Sequence, residues 1–172
     1  MLQPLDKRRK TGHCVAMPDL ALYQPDIPQN TGTMIRMAAC LDVRVHLIEP
    51  AGFPLSGSAL KRAGMDYLER AALIRHLDWA AFEEARKAAG RRLVLLTTKS
   101  TLPYTDFTFG PDDMLLLGRE SAGVPDAVHD SADARITIPM AAGMRSLNIA
   151  VSAAMVLGEA LRQTGTFPIP SR

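Results

Sequence analysis

The sequence predicts an α/β domain: a mainly parallel sheet flanked by helices. Short apolar, often β-branched runs alternate along the chain with stretches of helical periodicity. Most turns from a strand-like run into a helix-like stretch carry glycine or polar residues, which is where open α/β sheets bind ligands. The 172 residues, 47% hydrophobic and 22% charged, suit one packed core and exclude a disordered or coiled-coil chain. The expected organisation is an N-terminal extension over residues 1–18, a single domain over 19–165 and a tail over 166–172.

Leu20–Tyr23 is an unbroken apolar run and reads as the first strand, followed by a helix over Thr33–Leu41. Val43–Ile48 is β-branched and reads as the second strand; Ser58–Ala63 reads as a short helix and Ala71–Ile74 as a weaker strand. Trp79–Ala89 has helical spacing, Leu93–Thr97 and Met114–Leu117 are apolar strands, Asp126–Ser131 is a short helix and Arg135–Ile138 the last strand. The final helix runs from Leu147 to Thr164, with Ser146 as expected N-cap and Gly165 as stop. From Ile149 to Leu157 only Ser152 is not apolar, so this helix is expected to be buried on nearly every side, by its own domain or by a second subunit. Gly158 costs such a helix roughly 1 kcal/mol against alanine, which points to a closely packed neighbour.

Twenty basic and 18 acidic residues leave a net charge of +2, but its location changes its meaning. Lys7, Arg8, Arg9 and Lys10 face only Asp6 in the first sixteen residues, and the remainder carries 16 basic and 17 acidic residues. Bulk charge therefore predicts neither a nucleic-acid nor a membrane partner, and any anion site must be a local arrangement. Cys14 and Cys40, the only cysteines, form neither a disulfide scaffold nor a zinc cluster, and His13-Cys14 lacks a second ligand pair. No metal is expected, and a reducing cytoplasm is the expected compartment. No apolar stretch after the basic run resembles a signal peptide, and none approaches a membrane span. Residues 1–16, ending just before Met17, read as a dispensable extension or a misassigned start.

The familiar nucleotide fingerprints fail. No GxGxxG follows the first strand, and Gly118 to Gly123 has the glycine spacing of a phosphate loop without the Lys-Ser/Thr that must follow. The glycine that a serine-hydrolase elbow needs two residues before Ser121 is replaced by Arg119. Three polar loops remain. In Pro28–Arg36, Asn30 either caps a helix or serves a site, and Arg36 is either a solvated charge or a ligand. In Leu115–Pro125, Gly118 permits close backbone approach at a strand end, and Glu120 either caps the next helix or binds a cation. In Ile136–Asn148, Ser146 and Asn148 open the apolar helix, where free backbone N–H groups either are capped or face a ligand.

Together these loops resemble the three motifs of the SPOUT superfamily, in its TrmH-like branch of tRNA and rRNA ribose 2′-O-methyltransferases. Motif one corresponds to Asn30-x-Gly32-x-x-x-Arg36, motif two to Leu117-Gly118-x-Glu120-x-x-Gly123, and motif three to Ile138-Pro-Met140 with Ser146-Leu-Asn148. The similarity extends from about Asp19 to Thr164. The stretches Leu22–Asn30, His46–Phe53, Lys61–Tyr67 and Leu96–Lys99 resemble the small members of the branch that modify the tRNA wobble nucleotide. The chain departs from those members at Arg119-Glu120-Ser121, where Pro-Glu-Thr is common, and at Gly158, where an aromatic is often found.

The resemblance implies a C-terminal trefoil knot whose loops hold S-adenosylmethionine, an obligate homodimer that completes each site, and 2′-O-methylation of the ribose at tRNA position 34, on cytidine or uridine. By position, Leu96, Gly118, Ile138 and Ser146 would contact the cofactor, with Thr97, Met140 and Leu147 beside them. Asn30, Arg36, Glu120, Ser146 and Asn148 match the family's catalytic or structurally essential polar set. Family accounts make the motif-one arginine a base; a guanidinium, protonated in proteins and without a free lone pair, is better suited to orienting the hydroxyl and its flanking phosphate. With a near-neutral domain body, tRNA binding is expected from Arg36, Arg44, Lys61, Arg62 and Arg145 gathered on one face. The competing readings are methylation at another tRNA or rRNA site, and a non-catalytic module that binds cofactor or RNA.

Overall fold

A computed structural model of the chain describes residues 16–55 and 71–169. The elements run β1 (Asp19–Tyr23), α1 (Pro28–Cys40), β2 (Arg44–Ile48), β3 (Ala72–His76), α2 (Trp79–Ala88), β4 (Arg92–Leu96), β5 (Asp113–Leu117), α3 (Asp126–Ser131), β6 (Ala134–Ile136) and α4 (Ile149–Thr164). Six strands form one sheet in the order β3-β2-β1-β5-β4-β6, and every pairing is parallel. The helix expected at Ser58–Ala63 lies outside the described residues.

Parallel strands covered on both faces need apolar residues at successive positions, and the alternation of the strand shows how they divide. Leu20, Leu22, Val94, Leu115, Leu117 and Ile136 pack with Met34 and Ile35 of α1 and Ala153, Val156 and Leu157 of α4. Their neighbours Ala21, Tyr23, Leu93, Leu95, Met114 and Leu116 pack on the other face with Phe82 of α2 and Val128 of α3. The chain turns in different directions on the two sides of β1, and the carboxyl ends of β4, β5 and β6 lie together on one side.

Two helix starts differ from expectation. Helix α1 begins at Pro28, not Thr33, because proline supplies a helical φ at the first position without a wasted N–H. Asn30 is therefore inside the first turn and does not cap it; the N-cap is Ile27, without a side-chain cap. Helix α4 begins at Ile149, and its cap is Asn148 instead of Ser146: the Asn148 Oδ1 accepts from the backbone N–H of Ala150 at 2.9 Å and of Val151 at 3.3 Å. Gly165 ends the helix in the left-handed region at φ 65°.

Of the two covers expected for α4, its own domain supplies only part. Ala150, Ser152, Ala153, Val156, Leu157, Ala160 and Leu161 are buried, but Val151 is 50% and Met155 37% exposed. One sheet face and α1 cover only one side of the helix. A Cβ built at Gly158 meets nothing within 4 Å, so the close neighbour expected there is absent among the described residues. Nor is any helix among them long and apolar enough to cross a membrane.

On the α2 face, Asp19 is 1% exposed and is held by Arg44 at 2.9 Å and Arg91 at 3.0 Å. Burial alone would raise its pKa, but the His46 hydrogen bond and the Arg91 and Arg44 charges hold it below its ordinary value. The His46 Nδ1 lies 2.9 Å from His76 Nε2, and burial, reinforced by the nearby His46, pushes the His76 pKa below 6.5. The unfolded chain therefore takes up a proton near pH 6.5 that the folded chain refuses, and stability falls as pH drops from there toward the lowered folded value. Urea unfolding at about pH 7.5 and about pH 5.5 is expected to show this loss, and a smaller one in His76→Gln. An equal loss in both chains would place the proton uptake elsewhere.

Candidate active site

The carboxyl ends of β4, β5 and β6 open into a cleft of about 300 Å³. Its apolar wall comes from Ile27, Leu96, Leu117, Ile138, Leu147 and Ile149; its polar edge comes from Asn30, Glu120, Ser146 and Asn148. The loop after β4 runs beside the loop after β6: Thr97 N–H donates to Ile136 O at 2.9 Å and Tyr104 N–H to Thr137 O at 2.8 Å. The floor is the turn after β5, closed by reciprocal 2.9 Å hydrogen bonds between the backbones of Arg119 and Gly123. A Cβ at Gly118 would stand 2.6 Å from the carbonyl carbon of Gly123, so its missing side chain lets the turn close on itself.

One chain of hydrogen bonds ties the loops after β5 and β6 to the first turn of α1. Asn148 Nδ2 donates to Asn30 Oδ1 at 3.0 Å, and Asn30 Nδ2 donates to Glu120 Oε1 at 3.1 Å. The Glu120 Oε2 accepts from the Asp26 backbone N–H at 3.1 Å. Because Asn148 Oδ1 is committed to the first amides of α4, its amide group is oriented from both ends. Glu120 does not cap α3, whose N-cap is Pro125, and among the described residues no group of three or more His, Cys, Asp and Glu is arranged to hold a metal. Burial raises the Glu120 pKa and its hydrogen bond with Asp26 adds to this, while that same contact lowers Asp26 to about 2. Two carboxyls in contact do not both ionise readily, so protonation is favoured on Glu120 over Asp26.

Leu96, Thr97, Gly118, Ile138, Met140, Ser146 and Leu147, the residues matched to cofactor contacts, all line this cleft, together with Asn30, Glu120 and Asn148. Arg36 does not. It lies almost two turns beyond Asn30, exposed on α1. Arg145 is exposed next to Ser146. Arg44 opens β2 at the amino edge of the sheet, a strand length from the cleft, and is paired with Asp19. The structure thus does not gather Arg44 with the others, and Lys61 and Arg62 lie outside the described residues. Thr98, Arg119, Thr137 and Ser152 line the cleft without having been singled out for it. Ser152 left a signal as the one polar residue in an apolar helix run; it donates to Asn148 O at 3.1 Å.

Asn148→Ala removes the α4 cap and the Asn30 contact together. The expected cost is about 1 kcal/mol, a fall in Tm of about 2–4 °C for a chain of this size. Asn148→Asp keeps the cap acceptor but loses the donor to Asn30, so it should unfold near the parent temperature while still weakening cofactor binding. Thermal unfolding and titration calorimetry on both variants separate the two roles; equal cofactor affinity in Asn148→Asp would deny the second.

Residues 18–158 match the SpoU rRNA Methylase family. A tRNA (cytidine(34)-2′-O)-methyltransferase of Beijerinckia indica subsp. indica is 67% identical over 146 residues, 85% of this chain and 91% of that protein. A solved structure concerning the 2-OH methylation of C/U34 on tRNA superposes with a TM-score of 0.79 at 42% identity, covering 86% of this chain and 96% of that one. An AdoMet-bound rRNA methyltransferase from Sinorhizobium meliloti superposes with a TM-score of 0.76 at 28% identity, covering 85% of this chain and 56% of that one.

Proposed function

The chain belongs to the SpoU rRNA methylase family, and from that premise we propose that it transfers a methyl group from S-adenosylmethionine to the ribose 2′-hydroxyl of the wobble nucleotide, position 34, of tRNA. The observation that carries the reading is the cleft itself: three loops distant in sequence meet at the ends of β4, β5 and β6, and the Asn148–Asn30–Glu120 chain locks the last two to the first turn of α1. Its volume lies within the range of small-molecule sites, and its apolar wall beside a polar edge suits a ligand with an adenine plane and an amino-acid end.

S-adenosylmethionine, when bound, supplies a methyl group already activated on sulfonium, so the chain's tasks are alignment and handling of the ribose proton. Leu96, Gly118, Ile138 and Ser146 would hold the cofactor largely through backbone groups, with Thr97, Met140 and Leu147 beside it. Glu120, Asn30 and Asn148 keep the loops in register. Arg36 orients the 2′-hydroxyl and the flanking phosphate and stabilises negative charge developing on the oxygen; the proton passes to solvent or a relay.

Arg36 lies outside the cleft of its own chain, and Leu147, Val151 and Met155 form an exposed apolar stripe at helical spacing, with open space over Gly158. Both features support a homodimer in which a second copy covers α4 and brings Arg36 to the site. The same reading carries a trefoil knot formed by the loops after β4, β5 and β6, action in the cytoplasm, and tRNA contacts from Arg36 and Arg145 with Lys61 and Arg62. Arg44, at the far end of the sheet, has no part in it.

The deciding experiment incubates the purified chain with labelled S-adenosylmethionine and unmodified tRNA, then maps the modified ribose. Label on the position-34 ribose is the expected result. Label on another nucleotide would move the substrate, and cofactor binding without transfer to any RNA would make the chain a binding module.

A further inference from the structure

We propose that Asp26 is a positioning residue of the methyl-transfer site, pinning the 118–123 turn and through it the Glu120 carboxyl that holds Asn30. The inference rests on the function proposed above. Asp26 lies between β1 and α1, 94 residues from Glu120, and does not itself line the cleft. Three successive residues of the turn nevertheless converge on its carboxylate. The Oδ1 accepts from the Glu120 backbone N–H at 3.2 Å, the Oδ2 accepts from the Ser121 hydroxyl, and the Arg119 Nε lies 3.9 Å from that same oxygen. The Asp26 backbone N–H returns a hydrogen bond to Glu120 Oε2 at 3.1 Å. Backbone and side chain of one residue therefore grip both ends of Glu120.

The chain also makes room for this grip. A Cβ at Gly52 would stand 2.8 Å from the Asp26 Cβ and 2.9 Å from its Cα, while the Gly52 N–H donates to Pro25 O at 2.9 Å. The loop after β2 thus presses directly on Asp26 and leaves it one place to sit. Gly118, Arg119 and Glu120 do line the cleft, so a shift of Asp26 reaches the cofactor through them. A carboxylate that accepts from a backbone N–H and a hydroxyl, with a guanidinium 3.9 Å away, makes charge-assisted contacts, stronger than neutral ones, which suits it to hold a turn that has no core packing of its own.

The test uses the full chain, with Asp26→Ala, Asp26→Asn and Gly52→Ala. It measures S-adenosylmethionine Kd by calorimetry, kcat and KM for tRNA, and thermal unfolding. Asp26→Ala is expected to lower kcat about 100-fold and to weaken cofactor binding at least about tenfold, with tRNA KM within about threefold of the parent. Asp26→Asn, which keeps an acceptor for the Glu120 N–H, should recover most of the cofactor affinity, and Gly52→Ala should move cofactor Kd in the same direction as Asp26→Ala. If Asp26→Ala does not fold, the Asn and Gly52 variants decide. Parent-like kcat and Kd, a loss confined to tRNA KM, or a loss matched by the unfolded fraction would each overturn the assignment. A parent chain that binds cofactor but methylates no RNA would overturn the function instead, and the cofactor affinities would still judge Asp26.

Discussion

Gly118→Ala is expected to weaken S-adenosylmethionine binding roughly 100-fold or more and to remove measurable methyl transfer, while the sheet still folds. The added Cβ would lie 2.6 Å from the Gly123 carbonyl carbon, 2.8 Å from its Cα and 2.9 Å from its oxygen. All three are backbone atoms, so no flexible side-chain end gives way. Reciprocal 2.9 Å backbone hydrogen bonds hold Gly123 to Arg119, which limits how its own backbone can move aside. The turn must open, and with it the cleft floor that carries Arg119 and Glu120. The strand that leads into it is secure, because Leu115, Leu116 and Leu117 are each 3% or less exposed. Calorimetry and far-UV circular dichroism test both halves: native-like dichroism with cofactor affinity within about threefold of the parent would falsify the argument.

Arg36→Lys is expected to lower turnover about 100-fold without disturbing stability or cofactor affinity. Arg36 is exposed on α1 and outside its own cleft, so its replacement costs no core packing. What it removes is geometry: a planar guanidinium offers paired donors to a phosphate or alkoxide oxygen, whereas an ammonium acts as a single point charge. A lysine variant with near-full turnover and a pH profile moved toward the lysine pKa would show that this position acts as a base. Single-turnover rates at saturating cofactor distinguish the outcomes.

The strands were legible because parallel strands sandwiched between helices must be apolar at successive positions, and runs such as Met114–Leu117 are too short for a buried helix. Helix ends were less legible. Ser146 and Asn148 are both good caps, and only the turn leading into α4 decides that Asn148 takes the first amides. Likewise Asn30 reads from sequence as either a cap or a site residue, and the start of α1 at Pro28 decides it, freeing the Asn30 amide for Glu120 and Asn148. Arg44 shows what charge type alone leaves open. Charge type alone placed it with Arg145, yet it begins β2, and in a parallel sheet a strand's first residue lies at the end away from the ligand cleft.

By itself, the sequence determined the α/β class, the succession of the described strands along the chain, the three polar loops and, through their resemblance to known motifs, the chemistry to look for. These are local properties, carried by periodicity and by residue types within a few positions of one another. The tertiary structure alone decided that Asp26 grips Glu120 across 94 residues and that Asn148 meets Asn30 across 118. It also decided that Gly118 is small for the sake of Gly123, and that α4 leaves one apolar side uncovered. Each of these depends on how distant segments approach in space, and the free energy of such contacts has no periodic trace in the chain that makes them.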